Sequence, residues 1–356
     1  MNLRLFLLSS LLSLLLFQDA LQAQVAGSAA PYARMGFSSR GMALGNAGSA
    51  VVLDGEFHPY YNPAVLAFSE FYMAHASYAA LSLDRKLNFV SVSGKVGPGA
   101  GLGFSWINSG VSDIDGRDSD GNATGNFSTS ENLFMLSFAN RFSPAFSVGV
   151  NLRGYLADFY DGVESSFAVG FDVGAIYRVR PDSLSSLAFA VAIQDVKSKY
   201  EWDTTPIYDL DGTNTTDDLP TTYKLGASFS RENLFGFKTV MIAAEIAIES
   251  MTFDGEETYT VMQNGQLVTV SEPVELNKSE THLNFGVMLQ PVRVLKFRFG
   301  VDRLGLQGVD FSEIARPAAG FSVEYPVQNV LTLIDYAYVF EPYTSGMNVI
   351  SVGARF

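Results

Sequence analysis

The feature that most constrains this chain is a period of two. From residue 71 to the C-terminus, stretch after stretch alternates apolar residues with polar or small ones. Leu295, Phe297, Phe299 and Val301 fall on one face, and Lys296, Arg298, Gly300 and Asp302 on the other. Tyr223, Leu225, Ala227 and Phe229 separate in the same way from Lys224, Gly226, Ser228 and Ser230, as do Leu283, Phe285, Val287 and Leu289 from His282, Asn284 and Gly286. Successive side chains of a strand point to opposite faces, so each stretch has one side for an apolar medium and one for a polar or small-residue interior. Fourteen such stretches are present, at about 71–82, 86–97, 99–111, 129–143, 145–158, 164–180, 185–198, 221–231, 237–253, 281–290, 293–303, 316–325, 330–341 and 347–356. Most run about 10 to 15 residues, which suits tilted strands crossing a bilayer and exceeds the length common in globular proteins.

The connections sort by parity. Every even-numbered one is short: GPG near 98, SPA at 143–145, RPDS at 180–183, RENLFGF at 231–237, QPV at 290–292 and YPVQN at 325–329. The long ones, 112–128, 199–220, roughly 254–280 and 304–315, are all odd-numbered. A soluble sandwich has no reason to sort its loops this way, whereas an outer-membrane barrel has short periplasmic turns and long outer loops. The expectation is an all-β fold, a fourteen-stranded antiparallel transmembrane barrel over 71–356 with both termini periplasmic.

The N-terminus agrees with export. Arg4 precedes a 13-residue apolar core at 5–17, and a cut after Ala23, with Leu21 at the −3 position, makes 1–23 a removable signal peptide. No later apolar run is long enough for a membrane helix. The chain has no cysteine, which excludes a lipoprotein anchor, disulfides and Cys-based zinc sites. Charge is asymmetric: residues 112–128, 199–220, 251–280 and 304–316 hold eighteen acidic and four basic residues, a difference of −14 that equals the net charge of the whole chain. The rim they form would meet lipopolysaccharide, through divalent cations bridging to its phosphates, or would simply stay solvated. No basic patch exists for nucleic acid. The chain ends on Phe356 of an alternating strand, the pattern that resembles the signal read by the barrel assembly machinery.

Residues 24–70 do not alternate. They are dense in Gly, Ala and Ser, with Gly36, Gly41, Gly45 and Gly48 spaced for close backbone approach. A barrel of fourteen strands leaves a lumen that wall side chains alone do not fill, so this segment is expected to form a compact hatch with short helices, in the periplasmic half of the lumen.

Within it, ARMGFSSRGMALGNAGSAVVLDGEFHPYYNPAVLA resembles the N-terminal signature of the PorV/PorQ outer-membrane proteins, which are similar in fold to the fatty-acid transporter FadL. The matching positions are Arg40, Gly41, Met42, Gly45, Ala47, Asp54, Tyr61, Asn62, Pro63, Ala64 and Leu66, and Val65 departs from the usual Gly. AIQDV at 192–196 also looks like a family feature. The resemblance implies a FadL-like barrel with an N-terminal hatch, in which Arg40, Gly41, Met42, Gly45, Tyr61, Asn62, Pro63 and Ala64 form the hatch motif and could line a ligand passage. It implies either a component that helps receive type IX secretion cargo at the outer membrane, or a channel for hydrophobic small molecules. The signature does not separate the two. A barrel that anchors surface polysaccharide is a third class. The channel reading carries its own expectation, an apolar tunnel from the outer rim to the hatch.

Residue by residue, Asn62 is a strong N-cap and Pro63 suits the first helical position, so the triplet reads as a capped helix start, a fixed hatch element, or both. The aspartates of 113–122 fail the EF-hand pattern, because Ala123 stands where Gly is needed and Thr129 where Glu is. His58, His75 and His282 are scattered, and no local signature marks a catalytic group, a metal site or a cofactor. The lumen-facing Arg153, Glu245, Lys296, Arg298 and Asp302 are expected to pair across the lumen.

Overall fold

A computed structural model describes residues 29–53, 58–160, 163–208, 212–263, 266–305, 315–341 and 344–356. The signal segment and Asp54 lie outside the described residues. Among the described residues sixteen strands follow in chain order: β1 (Met73–Ala80), β2 (Arg85–Gly97), β3 (Ala100–Arg117), β4 (Ala123–Arg141), β5 (Phe146–Asp158), β6 (Ser166–Val179), β7 (Ser185–Val196), β8 (Lys199–Asp203), β9 (Asn214–Asp218), β10 (Thr221–Leu234), β11 (Phe237–Gln263), β12 (Gln266–Val292), β13 (Leu295–Gly305), β14 (Arg316–Val327), β15 (Val330–Val339) and β16 (Met347–Arg355). All but β8 and β9 form one closed antiparallel barrel of fourteen strands. β1 closes on β16, from Met73 opposite Arg355 to Ala80 opposite Asn348.

Alternation sets which face meets what. Along β6, Phe167, Val169, Phe171 and Val173 point outward and are exposed, while Ala168, Asp172 and Ile176 point inward and are buried. The same division recurs around the wall and leaves a belt of exposed Phe, Leu, Val and Ile. A belt of that extent would aggregate in water and is at rest in hydrocarbon. The chain is an integral membrane barrel, and each of the fourteen stretches read from the sequence is one of its strands.

The odd-numbered connections differ from expectation. Much of 112–128 and 254–280 is strand rather than loop. The β3–β4 ladder continues past two register shifts to Arg117 opposite Ala123. The β11–β12 ladder runs without a shift to Gln263 opposite Gln266. β10 covers β11 only as far as Ser250, and β13 covers β12 only from His282. Beyond those points the two strands stand as a ribbon of roughly 40 Å, at about 3.4 Å per residue. Thr258, Tyr259 and Thr260 supply β-branched and aromatic content that favours pairing over a loop. β8 and β9 form a separate hairpin within 199–220.

The hatch lies in the lumen. It contains a 3₁₀ turn at Pro31–Arg34, helix α1 (Ser38–Ala43) and a 3₁₀ helix at Pro63–Phe68. The last packs against β3, β4, β5 and β6, touching Gly101 and Gly149 close to the short turns.

Candidate functional site

Asn62 has extended backbone angles and its side chain accepts from Ala64 N at 3.0 Å, with Pro63 in the first turn. The capped start read from the sequence is therefore present. Asn62 also reaches the wall: its amide nitrogen lies 3.4 Å from Ala175 O and 3.3 Å from Val191 O. Ser147 Oγ donates to Ala64 O at 3.0 Å, and Gln194 of the AIQDV stretch donates to Tyr60 O at 2.6 Å. The wall offers glycine where the triplet comes closest. A Cβ at Gly149 would lie 2.5 Å from Ala64 N, and one at Gly174 would lie 2.1 Å from Asn62 Oδ1. Val65, in place of Gly, sits within the 3₁₀ helix and is buried.

The small-residue half docks on the other side. Gly45 has φ +59° and rests on strand backbone, where a Cβ would meet Val301 N at 2.5 Å. Both the left-handed angle and the contact exclude a larger residue. A Cβ at Gly41 would lie 2.1 Å from Tyr61 Oη, and Met42 is buried in the apolar cluster around Phe37. Burial holds the Tyr61 hydroxyl well above its ordinary range, so it keeps the proton that Asn46 Oδ1 accepts at 2.7 Å.

Four wall carboxylates receive the hatch. Asp335 pairs with Arg40 at 3.0 Å, Asp302 accepts from Asn46, Glu245 accepts from Ser49 N at 3.0 Å, and Glu249 lies 3.7 Å from Arg34. The expected pairing across the lumen takes a different form, because a barrel this wide is not spanned by two side chains. Arg153 pairs with Asp172 and Asp195 on the next two strands, Lys296 with Glu324 on the adjacent strand, and Asp302 with Arg316. Arg298 donates to Ser322. Asp302 and Glu245 turn to the hatch as well.

The histidines are less scattered than the sequence suggests. His58 and His75 lie with ring centroids 5.1 Å apart. Ser77 Oγ is 3.4 Å from His75 Nδ1, and His75 Nε2 is 3.6 Å from Asp335. The order is that of a hydrolytic triad, but both distances are too long for activation, and Asp335 is committed to Arg40. The group fastens the hatch. Among the described residues no cluster of three or more His, Asp or Glu is placed to hold a metal ion. At the β3–β4 tip, Asp118 is occupied by Asn122 and Asp120 N.

Among the described residues, pockets lie beside the hatch. A polar cleft open to solvent separates Arg34, Asn46, Tyr60 and Tyr61 from polar residues of β7 and β10 to β13. A narrower apolar crevice lies at the seam between Phe37 and Met42 and the wall residues Leu87, Phe89, Ile107 and Val349. Of these two spaces the wider is polar, and the apolar one is the crevice at the seam. Sequence reasoning missed Asp335 and Glu249. Their one signal was a polar residue at lumen parity in a strand.

Solved structures share this architecture. The monoaromatic hydrocarbon channel CymD matches with a TM-score of 0.51 at 12% identity, over 90% of this chain and 97% of that one. A FadL homologue of Pseudomonas aeruginosa matches with 0.50 at 13% identity, over 90% and 99%. The fold is that of a FadL-type outer-membrane barrel. The Pseudomonas putida toluene transporter TodX agrees, with a TM-score of 0.50 at 10% identity over 90% and 96%. No protein-family model and no curated protein matches the chain. At these identities the FadL-type likeness is one of fold.

Proposed function

We propose that this FadL-type barrel is an outer-membrane channel for small hydrophobic compounds, held here with its hatch closed. The observation that carries the reading is the apolar crevice at the seam between hatch and wall, which would widen into a passage if α1 moved. In this reading the short turns and both termini face the periplasm. The acidic hairpins face outward, toward lipopolysaccharide and its bridging cations. Reception of type IX cargo rests on the hatch motif alone, and Arg40, Gly41, Gly45, Tyr61 and Asn62 each have a structural task inside the barrel.

The test uses the absence of native cysteine. Ser39 Oγ and Ser351 Oγ are 2.7 Å apart across the seam, so the pair Ser39→Cys and Ser351→Cys should lock the hatch to β16 on oxidation. Uptake of toluene by cells carrying the chain should exceed that of cells without it, stop in the oxidised pair and return with reductant. Uptake that continues with the bond formed would exclude hatch movement as the gate.

A further inference from the structure

Across β2, β3 and β4, alternation brings amides rather than hydrocarbon to the outer face of the wall. Phe89, Ile107 and Leu133 are buried on the lumen side, so their chain neighbours Asn88, Asn108 and Asn132 face outward. The three asparagines stand opposite one another in register. Their side chains form a ladder, in which Asn88 Nδ2 donates to Asn108 Oδ1 at 3.1 Å and Asn108 Nδ2 to Asn132 Oδ1 at 3.1 Å. Trp106 Nε1 donates to the same Asn132 oxygen at 3.0 Å, and Asn132 Nδ2 donates to Ser130 Oγ at 3.1 Å. The ladder ends at Asn88, whose own oxygen accepts from none of the described residues.

The rows on either side of the ladder give this surface an order. Toward the short turns come Val90, Trp106 and Phe134, then Val92, Phe104 and Leu136, each row in register. All of these except Trp106 are exposed apolar side chains. Toward the β3–β4 tip comes the row of Lys86, Gly110 and Ser130. Lys86 is exposed, lies 3.5 Å from Ser112 Oγ and pairs with no carboxylate among the described residues. Hydrocarbon, neutral amides and an ammonium thus follow one another along the face. Amides at the edge of a hydrocarbon layer need groups that both donate and accept. Ester-linked lipid tails offer acceptors at that level and no donor, whereas the amide and hydroxyl groups of an acylated amino-sugar offer both. A phosphate on such a sugar would make a charge-assisted contact with Lys86. We propose that this face holds a lipid A molecule of the outer leaflet, with its acyl chains on the apolar rows, its amide-linked sugar on the asparagine ladder and a phosphate at Lys86. The site rests on the orientation given above, with the long hairpins outward, and needs neither hatch movement nor hydrocarbon passage.

Native mass spectrometry of the full barrel tests it, with purified lipid A, phosphatidylglycerol and phosphatidylethanolamine added singly. Lipid A should stay bound at concentrations where neither phospholipid does. A ladder variant (Asn88→Leu, Asn108→Leu and Asn132→Leu together) and, separately, Lys86→Gln should each weaken lipid A binding about tenfold, the loss expected for one hydrogen bond to a charged or poorly solvated group. Heat-modifiable gel migration establishes that both variants are folded barrels. Equal retention of the three lipids would overturn the proposal, as would lipid A affinity unchanged in both variants. Dimers of the native barrel that the ladder variant abolishes would also overturn it, by assigning the ladder to a second copy. The orientation is tested separately, by a membrane-impermeant maleimide on intact cells carrying Thr124→Cys, an exposed position in β4. Labelling without lipid A binding would fault the lipid site alone, whereas absence of labelling would fault the orientation and with it the leaflet.

Discussion

Asn62 joins three parts of the molecule through one amide. Its oxygen caps Ala64 N, and its nitrogen faces the carbonyls of Ala175 and Val191 on neighbouring strands. Asn62→Ala should loosen the hatch by about 1 kcal/mol for the cap and by about 1 kcal/mol more for the wall contacts. Hydrogen exchange at Val65 N and Ser69 N, which bond within the 3₁₀ helix, reads the change. The cap was legible in the sequence because Asn before Pro is a local signal. The wall contacts were not, since they require Gly174 to be opposite. Arg40 makes the same point at longer range, because its partner Asp335 is 295 positions away and only the register of the closed barrel brings the two together. Arg40→Ala takes the closest cation from the buried Asp335 and should destabilise the docked hatch by about 3–5 kcal/mol. Joint replacement by Arg40→Met and Asp335→Leu should recover most of that loss, measured as hatch protease resistance.

Strand positions in the wall were legible because lipid on one side and a polar lumen on the other enforce strict alternation. The ribbon of β11 and β12 was not. It stands beyond the wall strands that flank it, so the lipid-facing pattern no longer applies and Thr, Glu and Tyr read as loop. Removing residues 252–277 should leave a folded, heat-modifiable barrel, because the pairs from Thr239–Gln290 to Ser250–Ser279 and Met251–Lys278 remain. Failure to assemble would mean that the ribbon nucleates the wall. The β3–β4 tip is held differently. The Asn122 side chain and then its backbone N–H keep the Asp118 carboxyl below its ordinary range. A carboxyl lowered on folding contributes stability above its unfolded value and loses it as pH falls through the lower folded one. The tip should therefore stay closed through the ordinary carboxylate range and open only below it, as followed by the Asn122 amide resonance.

The whole molecule depends on one seam. Tyr72 and Phe356 exchange backbone hydrogen bonds at 2.9 and 3.0 Å, and their rings stack with centroids 6.1 Å apart. Deleting Phe356 removes both bonds and should lower the fraction of chain that migrates as a compact barrel before heating. The sequence pointed to Phe356 as an assembly signal, and the structure adds that it clasps the first strand to the last. The hatch was legible as a lumen-filling segment from its length and its glycines, whereas its attachment points were not, since they depend on which strand faces which. Those points lie on β6, β7, β11, β13 and β15, spread along one arc of the circumference. A body tied to several bearings of a ring acts as a strut. The hatch therefore braces the cross-section against flattening as well as blocking it, and any motion that opens the pore also softens the wall around it.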